Sequence, residues 1–287
     1  MILSDKLSIW KANEYNFNIF EDSKINLDRV TLKIDKVVEM SEQDQQKLFE
    51  TFNKFKFVIL ECDPSPNPQE NLLALGKFFG SVKRHQRSDR NGIVPVENLG
   101  KLAPEDQISA TNRLHPIHTD GSFDMDPPKV VAMQCEIPSK HGGLSQIVYG
   151  QDVYEYLLEN YVQELYKLFA NPLTITRGER TATRPIFVEK EGRISIAFRS
   201  DSVISVEMNF QIEKGFRVIK NYVNEPKNQL IFKLKANQIL LIENNSVLHG
   251  RTSFPDNEVR KINRLWFDGV SEYAQYLKFG FLPKTKI

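Results

Sequence analysis

The sequence predicts a mainly β fold with flanking helices, and two patterns carry this prediction. Short runs rich in β-branched and aromatic residues, each bounded by turn-forming residues, are typical of β-strands. Between them lie a few longer stretches in which apolar residues recur at helical spacing. The 287 residues contain no internal repeat and no linker rich in Pro, Gly or Ser, so a single domain over residues 1–287 is the economical interpretation.

The N-terminal segment predicts a helix after an irregular start. Residues 1–40 mix short apolar and charged stretches, and we expect them to lie across the core as irregular structure and a strand. Ser41 can cap a helix that runs to about Phe55, because Glu42 and Asp44 place negative charge in its first turn.

A buried strand and a second helix follow. The apolar run 57–60 predicts the strand, which the proline-rich segment 64–68 ends. Apolar residues at helical spacing predict a helix from Pro68 to Phe79, since proline suits a first helical turn and Gly80 suits the C-terminal end.

The second half of the chain predicts a mixture of helices and strands. Apolar residues fall every four positions over residues 151–170, which predicts one helix that the following Asn-Pro pair ends. Residues 185–198 predict a β-hairpin around a Glu-Lys-Glu-Gly turn. A helix is expected around residues 214–223 and a strand over residues 238–242.

The most informative motif is His118-Thr119-Asp120, with His249 far downstream. Because strand residues two apart point to the same face, His118 and Asp120 can bind one ion from one strand, and His249 can complete the site from a distant strand. Two histidines and one carboxylate on one face of a metal are the triad of non-haem Fe(II) oxygenases, which leaves three coordination positions free. Taken alone, the His-x-Asp pattern also fits a hydrogen-bonded pair at the surface.

Further motifs surround this triad in a fixed order. They are His118–Phe123, Pro127-Pro128, Gly142-Gly143-Leu144-Ser145, Asn244–Phe254, Arg260 and Arg264. Their order and spacing, from roughly Phe55 to Phe267, resemble the TauD/TfdA family of Fe(II)- and 2-oxoglutarate-dependent dioxygenases, which includes the clavaminate synthase-like enzymes. Two positions depart from the family pattern. Leu144 stands where the family usually has an acidic residue, and Asn237-Gln238 replaces a common Pro-Gly turn.

The resemblance implies a fold, a set of cofactors and a reaction class. The fold is mainly β, with a double-stranded β-helix, or jelly-roll, core. The cofactor is Fe(II), held by His118, Asp120 and His249, and the cosubstrates are 2-oxoglutarate and O2. The reaction is oxidation of an unactivated C–H bond of a small molecule, by hydroxylation, desaturation or oxidative rearrangement. Related halogenases carry Gly or Ala in place of the aspartate, so Asp120 favours these reactions over halogenation.

The far carboxylate of 2-oxoglutarate needs a cation, and a guanidinium group can bind it through two parallel hydrogen bonds. Arg260 and Arg264 lie 11 and 15 residues after His249 and share one face of a predicted strand. Resemblance to taurine dioxygenase favours Arg260 for the oxo acid and Arg264 for the substrate or the C1 side. Resemblance to the clavaminate synthase-like branch favours Arg264 for the oxo acid, and we prefer this assignment slightly. Ser145 matches a family Thr or Ser that hydrogen-bonds the same carboxylate, although it also fits an ordinary hydroxyl at a strand edge.

The candidates for substrate binding are His85, Asn98, Arg199 and Asp201. His85 and Asn98 occupy the segment that reaches over the substrate in the family that the sequence resembles. If the preceding strand stays extended, Arg199 and Asp201 share a face. They can then recognise a zwitterion, such as a free or modified amino acid, or they can pair with each other.

The basic run at residues 83–90 allows two interpretations, since it holds four cationic residues and one aspartate. It is either a solvated loop or a mobile lid that meets an anionic substrate or a phosphopantetheine-bearing carrier protein. His115 and His141 also lie near the motif. We interpret them as neighbours of the site or surface residues rather than metal ligands.

Composition argues against several other classes of protein. A formal net charge of +1 gives no electrostatic reason to expect nucleic acid or an anionic membrane as a partner. Cys62 and Cys135, without a C-x-x-C pair, support neither a zinc ribbon nor a disulfide framework. Neither a signal-peptide pattern nor an apolar run of about 20 residues occurs, so a cytoplasmic protein is expected.

Two other function classes stay open at this point. Zinc binds histidine and aspartate well, so a zinc-dependent enzyme can use the same triad. A non-catalytic jelly-roll binding protein is the other alternative. Iron-dependent decarboxylation of 2-oxoglutarate separates both from the oxygenase.

Overall fold

The computed structural model describes residues 26–104 and 107–283, which form six α-helices and four β-sheets. The α-helices are α1 Glu42–Phe55, α2 Gln69–Ala74, α3 Gly76–Phe79, α4 Gly150–Asn160, α5 Val162–Ala170 and α6 Phe210–Asn224. The strands are β1 Thr31–Ile34, β2 Phe57–Cys62, β3 Val94–Glu97, β4 His115–His118, β5 Val130–Ile137, β6 Ser145–Tyr149, β7 Leu173–Arg177, β8 Arg180–Arg184, β9 Phe187–Lys190, β10 Arg193–Ile196, β11 Ser205–Met208, β12 Leu230–Phe232, β13 Gln238–Glu243, β14 Val247–Arg251 and β15 Lys261–Phe267. The strand expected within the first forty residues is β1, and residues 1–25 lie outside the described residues.

Two sheets enclose the central core. The larger has the strand order β1-β2-β13-β5-β15-β3, and the smaller has the order β12-β6-β14-β4. Apart from the parallel pair β1–β2, the strand pairs in both sheets are antiparallel. Side chains from both sheets form one buried cluster, which includes Phe57, Val131, Ile147, Val247 and Trp266. Two packed antiparallel sheets of this kind are the predicted jelly-roll core, and the predicted fold class is confirmed.

Helices α1, α2 and α3 cover the outer face of the larger sheet. Strand β2 is buried on both faces, because Phe57 and Ile59 point into the central core while Val58 and Leu60 point toward the helices. This explains why its sequence is continuously apolar rather than alternating.

The ends of these helices follow the sequence prediction closely. The hydroxyl of Ser41 accepts a hydrogen bond from the backbone N–H of Asp44 at 3.2 Å, so Ser41 is the predicted cap of α1. The helix expected from Pro68 to Phe79 is present as α2 and α3, which meet at Leu75.

Helices α4, α5 and α6 form a second layer with two small sheets, which have the strand orders β11-β7-β8 and β10-β9. The single helix predicted for residues 151–170 is wrong in one respect, because the backbone leaves helical geometry at Tyr161 (φ −146°, ψ 45°). After the break α5 packs against α6, whereas α4 contacts β6 as well as both of the other helices. Apolar residues continue on one face across the break, so their spacing gave no sign of it.

Two other predicted elements are found with shifted ends. Strands β9 and β10 form the predicted antiparallel hairpin, with Phe187 opposite Ile196. Helix α6 begins earlier than expected, because the side chain of Asn209 accepts a hydrogen bond from the backbone N–H of Gln211 at 2.9 Å and caps it there.

Across residues 26–104 and 107–283, none of the helices combines the length and apolar character that a bilayer crossing requires.

Candidate active site

The central element of the site is a cross-strand histidine pair. His118 on β4 lies directly opposite His249 on β14, and the centroids of their rings are 4.7 Å apart. Antiparallel neighbours of this kind point to the same face of a sheet, so register alone brings two residues that are far apart in sequence together.

Asp120 completes the group from a turn rather than from the strand. The prediction that one strand carries both His118 and Asp120 is wrong, because β4 ends at His118. Thr119 donates its backbone N–H to the carbonyl of Phe198 at 2.8 Å, and Gly121 follows with a φ of +67°. Asn244 then fixes Asp120: its Oδ1 accepts the Asp120 N–H and its Nδ2 donates to the Asp120 carbonyl, each at 2.9 Å.

The donor atoms of the three residues converge on one point. His118 Nε2 lies 3.3 Å from Asp120 Oδ1, and His249 Nε2 lies 3.9 Å from Asp120 Oδ2. One ligand atom from each residue lies within 4.8 Å of the other two, and all three side chains are buried. Ligands about 2.0–2.2 Å from an ion and at right angles are about 3 Å apart, so a small inward movement suffices for a divalent metal.

The protonation states also suit a metal. His118 Nδ1 donates to the carbonyl of Pro116 at 2.7 Å, which turns Nε2 of the ring toward Asp120. Burial, with a contribution from His118, lowers the pKa of His249 to about 3, so its imidazole is neutral. Burial alone would raise the pKa of Asp120, but Arg264 and the His118 hydrogen bond outweigh it and hold that pKa well below its usual range. The site therefore presents the neutral imidazole of His249 and the carboxylate of Asp120, with His118 beside them.

Arg264 and Trp266 hold the carboxylate of Asp120 from the opposite sheet. Arg264 Nη1 lies 3.2 and 3.3 Å from the two carboxylate oxygens, and the indole N–H of Trp266 donates to Oδ2 at 2.8 Å. Both residues are on β15, and their positions two apart place them on the same inner face. Arg264 is thus engaged with the triad itself.

Arg260 lies just before β15 and has a different environment. Its Nε donates to the carbonyl of Gly143 at 3.2 Å, and among the described residues no carboxylate lies within ion-pair distance of it. Burial lowers the pKa of Arg260 to about 10, and burial together with Arg260 lowers that of Arg251 to about 9. Arg251 lies opposite Ser145 in the pairing of β14 with β6. Nη2 of Arg251 donates to the carbonyls of Thr111 and Arg113. Together with Arg260 and Ser145, Arg251 supplies donors of the kind that bind a carboxylate.

The Gly-Gly pair at positions 142 and 143 lies close to Arg260 and to the backbone of Ser253. Both residues have positive φ, +58° and +61°. A Cβ on Gly143 would lie 2.4 Å from Ser139 Oγ and 2.9 Å from Arg260 Cδ. Only glycine therefore allows the backbone to approach Arg260 so closely.

Gly142 and Gly178 offer a matched test of this turn, because both have a φ of +58°. A Cβ on Gly142 would lie 2.2 Å from the carbonyl oxygen of Ser253, whereas one on Gly178 meets nothing within 4 Å. Gly178→Ala is expected to cost only backbone strain, about 1–2 kcal/mol. Gly142→Ala is expected to cost clearly more, because backbone must also move. Urea unfolding of both variants measures the difference, and equal losses would contradict the tight packing of this turn.

Three of the four substrate candidates, His85, Arg199 and Asp201, are buried. The fourth, Asn98, takes part in a local turn. Arg199 Nη2 lies 2.7 Å from Asp201 Oδ2, so these two residues pair with each other. The ring of His85 stands edge-on to Trp266 with centroids 5.1 Å apart, which places it beside the triad. Asn98 accepts the N–H of Gly100 at 3.0 Å within its own turn.

The remaining candidates are tied to nearby structure. Within the basic run, Arg87 Nη1 donates to Ser109 Oγ at 3.1 Å and Arg84 Nη1 donates to the carbonyl of Asp89 at 3.1 Å. His141 is exposed and pairs with Glu258. The ring of His115 lies against that of His118, with centroids 4.3 Å apart, but outside the converging group.

Asn244 and Trp266 are the residues that sequence reasoning missed. Asn244 stands in the distal motif, where it was open to interpretation as an ordinary turn residue. Trp266 lies two positions after Arg264, and this strand-face spacing was the available signal.

Comparison with known proteins identifies the class. The model of the family described as "Taurine catabolism dioxygenase TauD, TfdA family" matches residues 20–266. The chain therefore belongs to this family, and the predicted family is confirmed. The family's dioxygenases use Fe(II), 2-oxoglutarate and O2, and the group formed by His118, Asp120 and His249 supplies the ligand types that Fe(II) requires.

Individual relatives are distant. FR-33289 synthase from Streptomyces rubellomurinus is 24% identical over 215 residues, which cover 68% of this chain and 62% of that protein. The chain thus matches less than two thirds of that relative's length. A solved asparagine oxygenase, in complex with Fe(II), 2S,3S-3-hydroxyasparagine and succinate, has a TM-score of 0.58 and 15% identity, covering 83% of this chain and 93% of that chain. A taurine dioxygenase from Burkholderia xenovorans has a TM-score of 0.60 and 14% identity, covering 84% and 88%. These two structures share the fold.

Proposed function

We propose that the protein is an Fe(II)- and 2-oxoglutarate-dependent oxygenase that oxidises a C–H bond of a small amino acid or amino acid derivative. The observation that carries the proposal is the convergence of His118, Asp120 and His249, with the imidazole of His249 neutral and the carboxylate of Asp120 ionised. These three residues would hold Fe(II). When bound, Fe(II) with 2-oxoglutarate and O2 supplies the oxidising power that no side chain provides.

Arg260 is the better candidate for the far carboxylate of 2-oxoglutarate, in place of the Arg264 that the sequence favoured. Arg264 already faces the Asp120 carboxylate at 3.2 Å, whereas Arg260 is a buried cation without a carboxylate partner among the described residues. Ser145 and Arg251 face each other in the pairing of β14 with β6 and would add a hydroxyl and a second cation. A carboxylate bound there would provide hydrogen-bond partners in place of the water that both guanidinium groups lost on burial.

Arg264 and Trp266 act on the metal ligand rather than on the oxo acid. Their hydrogen bonds fix the orientation of the Asp120 carboxylate and keep it ionised. Since Asp120 occupies its ligand position, oxidation without halide transfer is the expected outcome.

The amino acid part of the proposal rests on Arg199 and Asp201. They form a buried ion pair, and Nε of Arg199 makes no hydrogen bond in the structure. A zwitterion can insert by exchanging partners, its carboxylate meeting Arg199 and its ammonium meeting Asp201. The oxygenase of known structure that contains 3-hydroxyasparagine supports an amino acid of this kind.

The test is succinate release from 2-oxoglutarate with a panel of free amino acids, N-substituted amino acids, sulfonates and carrier-bound amino acids. Fe(II)-dependent release that a free amino acid stimulates, and that Asp201→Asn weakens through a higher KM for that amino acid, is the expected result. Stimulation only by uncharged or sulfonated compounds would contradict the zwitterion. Activity restricted to carrier-bound substrates would assign the basic run at residues 83–90 to carrier docking. Turnover with Zn(II) and without 2-oxoglutarate would contradict the oxygenase.

A further inference from the structure

A short segment near the C-terminal end of the described chain lies outside the part that the family model matches. Residues 278–281, which we call the strap, come after β15 and after the matched residues 20–266. Arg193 on β10 holds the strap from one side, since its Nε and Nη2 donate to the carbonyls of Phe279 and Gly280 at 2.8 and 2.7 Å. The strap is thus tied to the hairpin of β9 and β10.

Backbone pairing and core packing hold the end of the strap. Phe281 and Ile194 exchange backbone hydrogen bonds of 2.8 and 2.9 Å. The Phe281 side chain is buried, and its ring lies edge-on to that of Tyr154 with centroids 5.9 Å apart. Burial of a large aromatic side chain stabilises this arrangement, so the strap has one defined position against β10.

The strap makes one contact that leads toward the triad, through Glu243 at the end of β13. The backbone N–H of Gly280 donates to Glu243 Oε2 at 2.9 Å. The same carboxylate accepts the backbone N–H of Asn245 at 2.8 Å and the hydroxyl of Ser246. Glu243 is 0% exposed, so these donors replace the water that its carboxylate lost on burial. Glu243 therefore joins the strap to the turn of residues 244–246.

This turn carries Asn244, which holds Asp120 in the triad. The Asn244 amide binds both the N–H and the carbonyl of Asp120, and its Nδ2 also donates to the carbonyl of Pro128 at 2.9 Å. Asn244 is buried, and the backbone of the turn sets the position of its side chain. A shift of the turn therefore moves the Asn244 amide, and the hydrogen bonds pass that shift on to Asp120.

We propose that Glu243 is a positioning residue for Asp120 and that the strap keeps Glu243 in place. The proposal rests on the proposed function, because Asp120 acts there as a ligand of Fe(II). Glu243 acts through Asn244, so its role is to hold the ligand where the metal needs it. A metal site works only within a narrow range of ligand positions, and residues that orient a ligand typically contribute about 10- to 100-fold to metal affinity.

Glu243→Gln tests the proposal with almost no change of shape. A carboxamide has one acceptor oxygen, so it can serve Asn245 or Gly280 and turns its NH2 group toward the N–H of the other. We expect the variant to bind Fe(II) about 10- to 100-fold more weakly, as measured anaerobically by competition with a chromogenic chelator. At saturating Fe(II), the KM for 2-oxoglutarate is expected to stay unchanged, because none of the Glu243 hydrogen bonds involves Arg260 or Ser145.

Asn71→Ala separates positioning from a general loss of stability. Asn71 on α2 is also buried, and its Oδ1 accepts the backbone N–H of Val37 at 2.8 Å, on the outer side of the larger sheet. This variant is expected to lower the free energy of unfolding in urea without changing the affinity for Fe(II). Equal losses of Fe(II) affinity in Asn71→Ala and Glu243→Gln, or an unchanged affinity in Glu243→Gln, would overturn the proposal.

Ser246→Ala is a milder variant that keeps the test decisive if Glu243→Gln does not fold. It removes one of the three donors and leaves the carboxylate with two. Loss of one hydrogen bond is expected to lower Fe(II) affinity about two- to tenfold. An unchanged affinity in folded Ser246→Ala would then overturn the proposal.

Arg193→Gln and Lys190→Gln form a matched pair of variants for the strap. The two positions lie opposite each other in the hairpin of β9 and β10, but Arg193 donates to the strap, whereas the Lys190 side chain is exposed and lies near Glu191. Arg193→Gln is expected to lower Fe(II) affinity about two- to tenfold, and Lys190→Gln is expected to change nothing. Equal Fe(II) affinities of these two variants would overturn the role of the strap.

The same measurements distinguish this inference from the proposed function. Stoichiometric Fe(II) binding and succinate formation that are equal in all variants leave the oxygenase standing and remove the positioning role. Fe(II) binding that Glu243→Gln weakens, in a protein that does not consume 2-oxoglutarate, removes the oxygenase and keeps the positioning role.

Discussion

Replacing His249 with alanine is expected to abolish Fe(II)-dependent turnover of 2-oxoglutarate while leaving the protein folded. His249 supplies one of three donor atoms that lie within 4.8 Å of one another, and two remaining ligands do not hold Fe(II) in a defined geometry. Removing a residue that only hydrogen-bonds to a metal ligand typically lowers activity 10- to 100-fold, or by about 1.4–2.7 kcal/mol. Removing the ligand His249 itself is expected to lower turnover by more than this. Folding is expected to survive, because His249 is neutral and its Nδ1 makes no hydrogen bond in the structure.

The control for this variant is His141→Ala. His141 is an exposed histidine near the same motif, paired with Glu258 on the surface. Its removal is expected to leave Fe(II) affinity and succinate formation unchanged. The triad assignment fails if both alanine variants behave alike, or if His249→Ala retains stoichiometric Fe(II) binding.

Arg260→Ala is expected to raise the KM for 2-oxoglutarate by about 30-fold or more, with a smaller effect on Fe(II) affinity. An unpaired buried carboxylate costs about 2–5 kcal/mol, and about 1.4 kcal/mol corresponds to a tenfold change. Succinate formation over a range of 2-oxoglutarate concentrations measures this shift. Arg260→Lys keeps the charge without the planar fork, so it is expected to recover part of the loss.

Arg264→Ala provides the contrasting result. Removing Arg264 leaves the Asp120 carboxylate buried without its closest cation, so its pKa rises toward and above the ordinary value as the burial effect takes over. The fold is expected to lose about 3–5 kcal/mol, as when one member of a buried ion pair is removed. Fe(II) affinity is expected to fall more at low pH than at high pH, because a protonated Asp120 is a poor ligand. Equal and small effects of both arginine variants would mean that neither lines the site.

The sequence predicted the triad because its three residue types and their spacing carry the chemistry themselves. The spacing of these residues in the sequence could not predict the contacts that hold them in position. The pairing of His118 with His249 depends on the register between β4 and β14, and register arises from the packing of whole strands. Asp120 leaves β4 because Asn244, more than a hundred residues later, binds its backbone, and no local pattern contains that contact.

The assignment of the arginines shows the same limit. Arg260 and Arg264 have the same residue type, the same strand face and similar burial, so sequence could not rank them. Their partners differ, since Arg264 contacts Asp120 and Arg260 contacts the Gly143 carbonyl. Asn98 was a candidate by position alone, and its side chain instead stabilises a local turn.

Anaerobic titration of Fe(II) followed by 2-oxoglutarate tests the central claim most directly. A 2-oxo acid that chelates Fe(II) through its keto and carboxylate oxygens gives a visible charge-transfer absorption that neither component shows alone. The account predicts that this absorption saturates at one Fe(II) and one 2-oxoglutarate per chain, disappears in His249→Ala, and needs a much higher 2-oxoglutarate concentration in Arg260→Ala. Absorption that persists unchanged in His249→Ala, or that is absent from the unmodified protein, would contradict it.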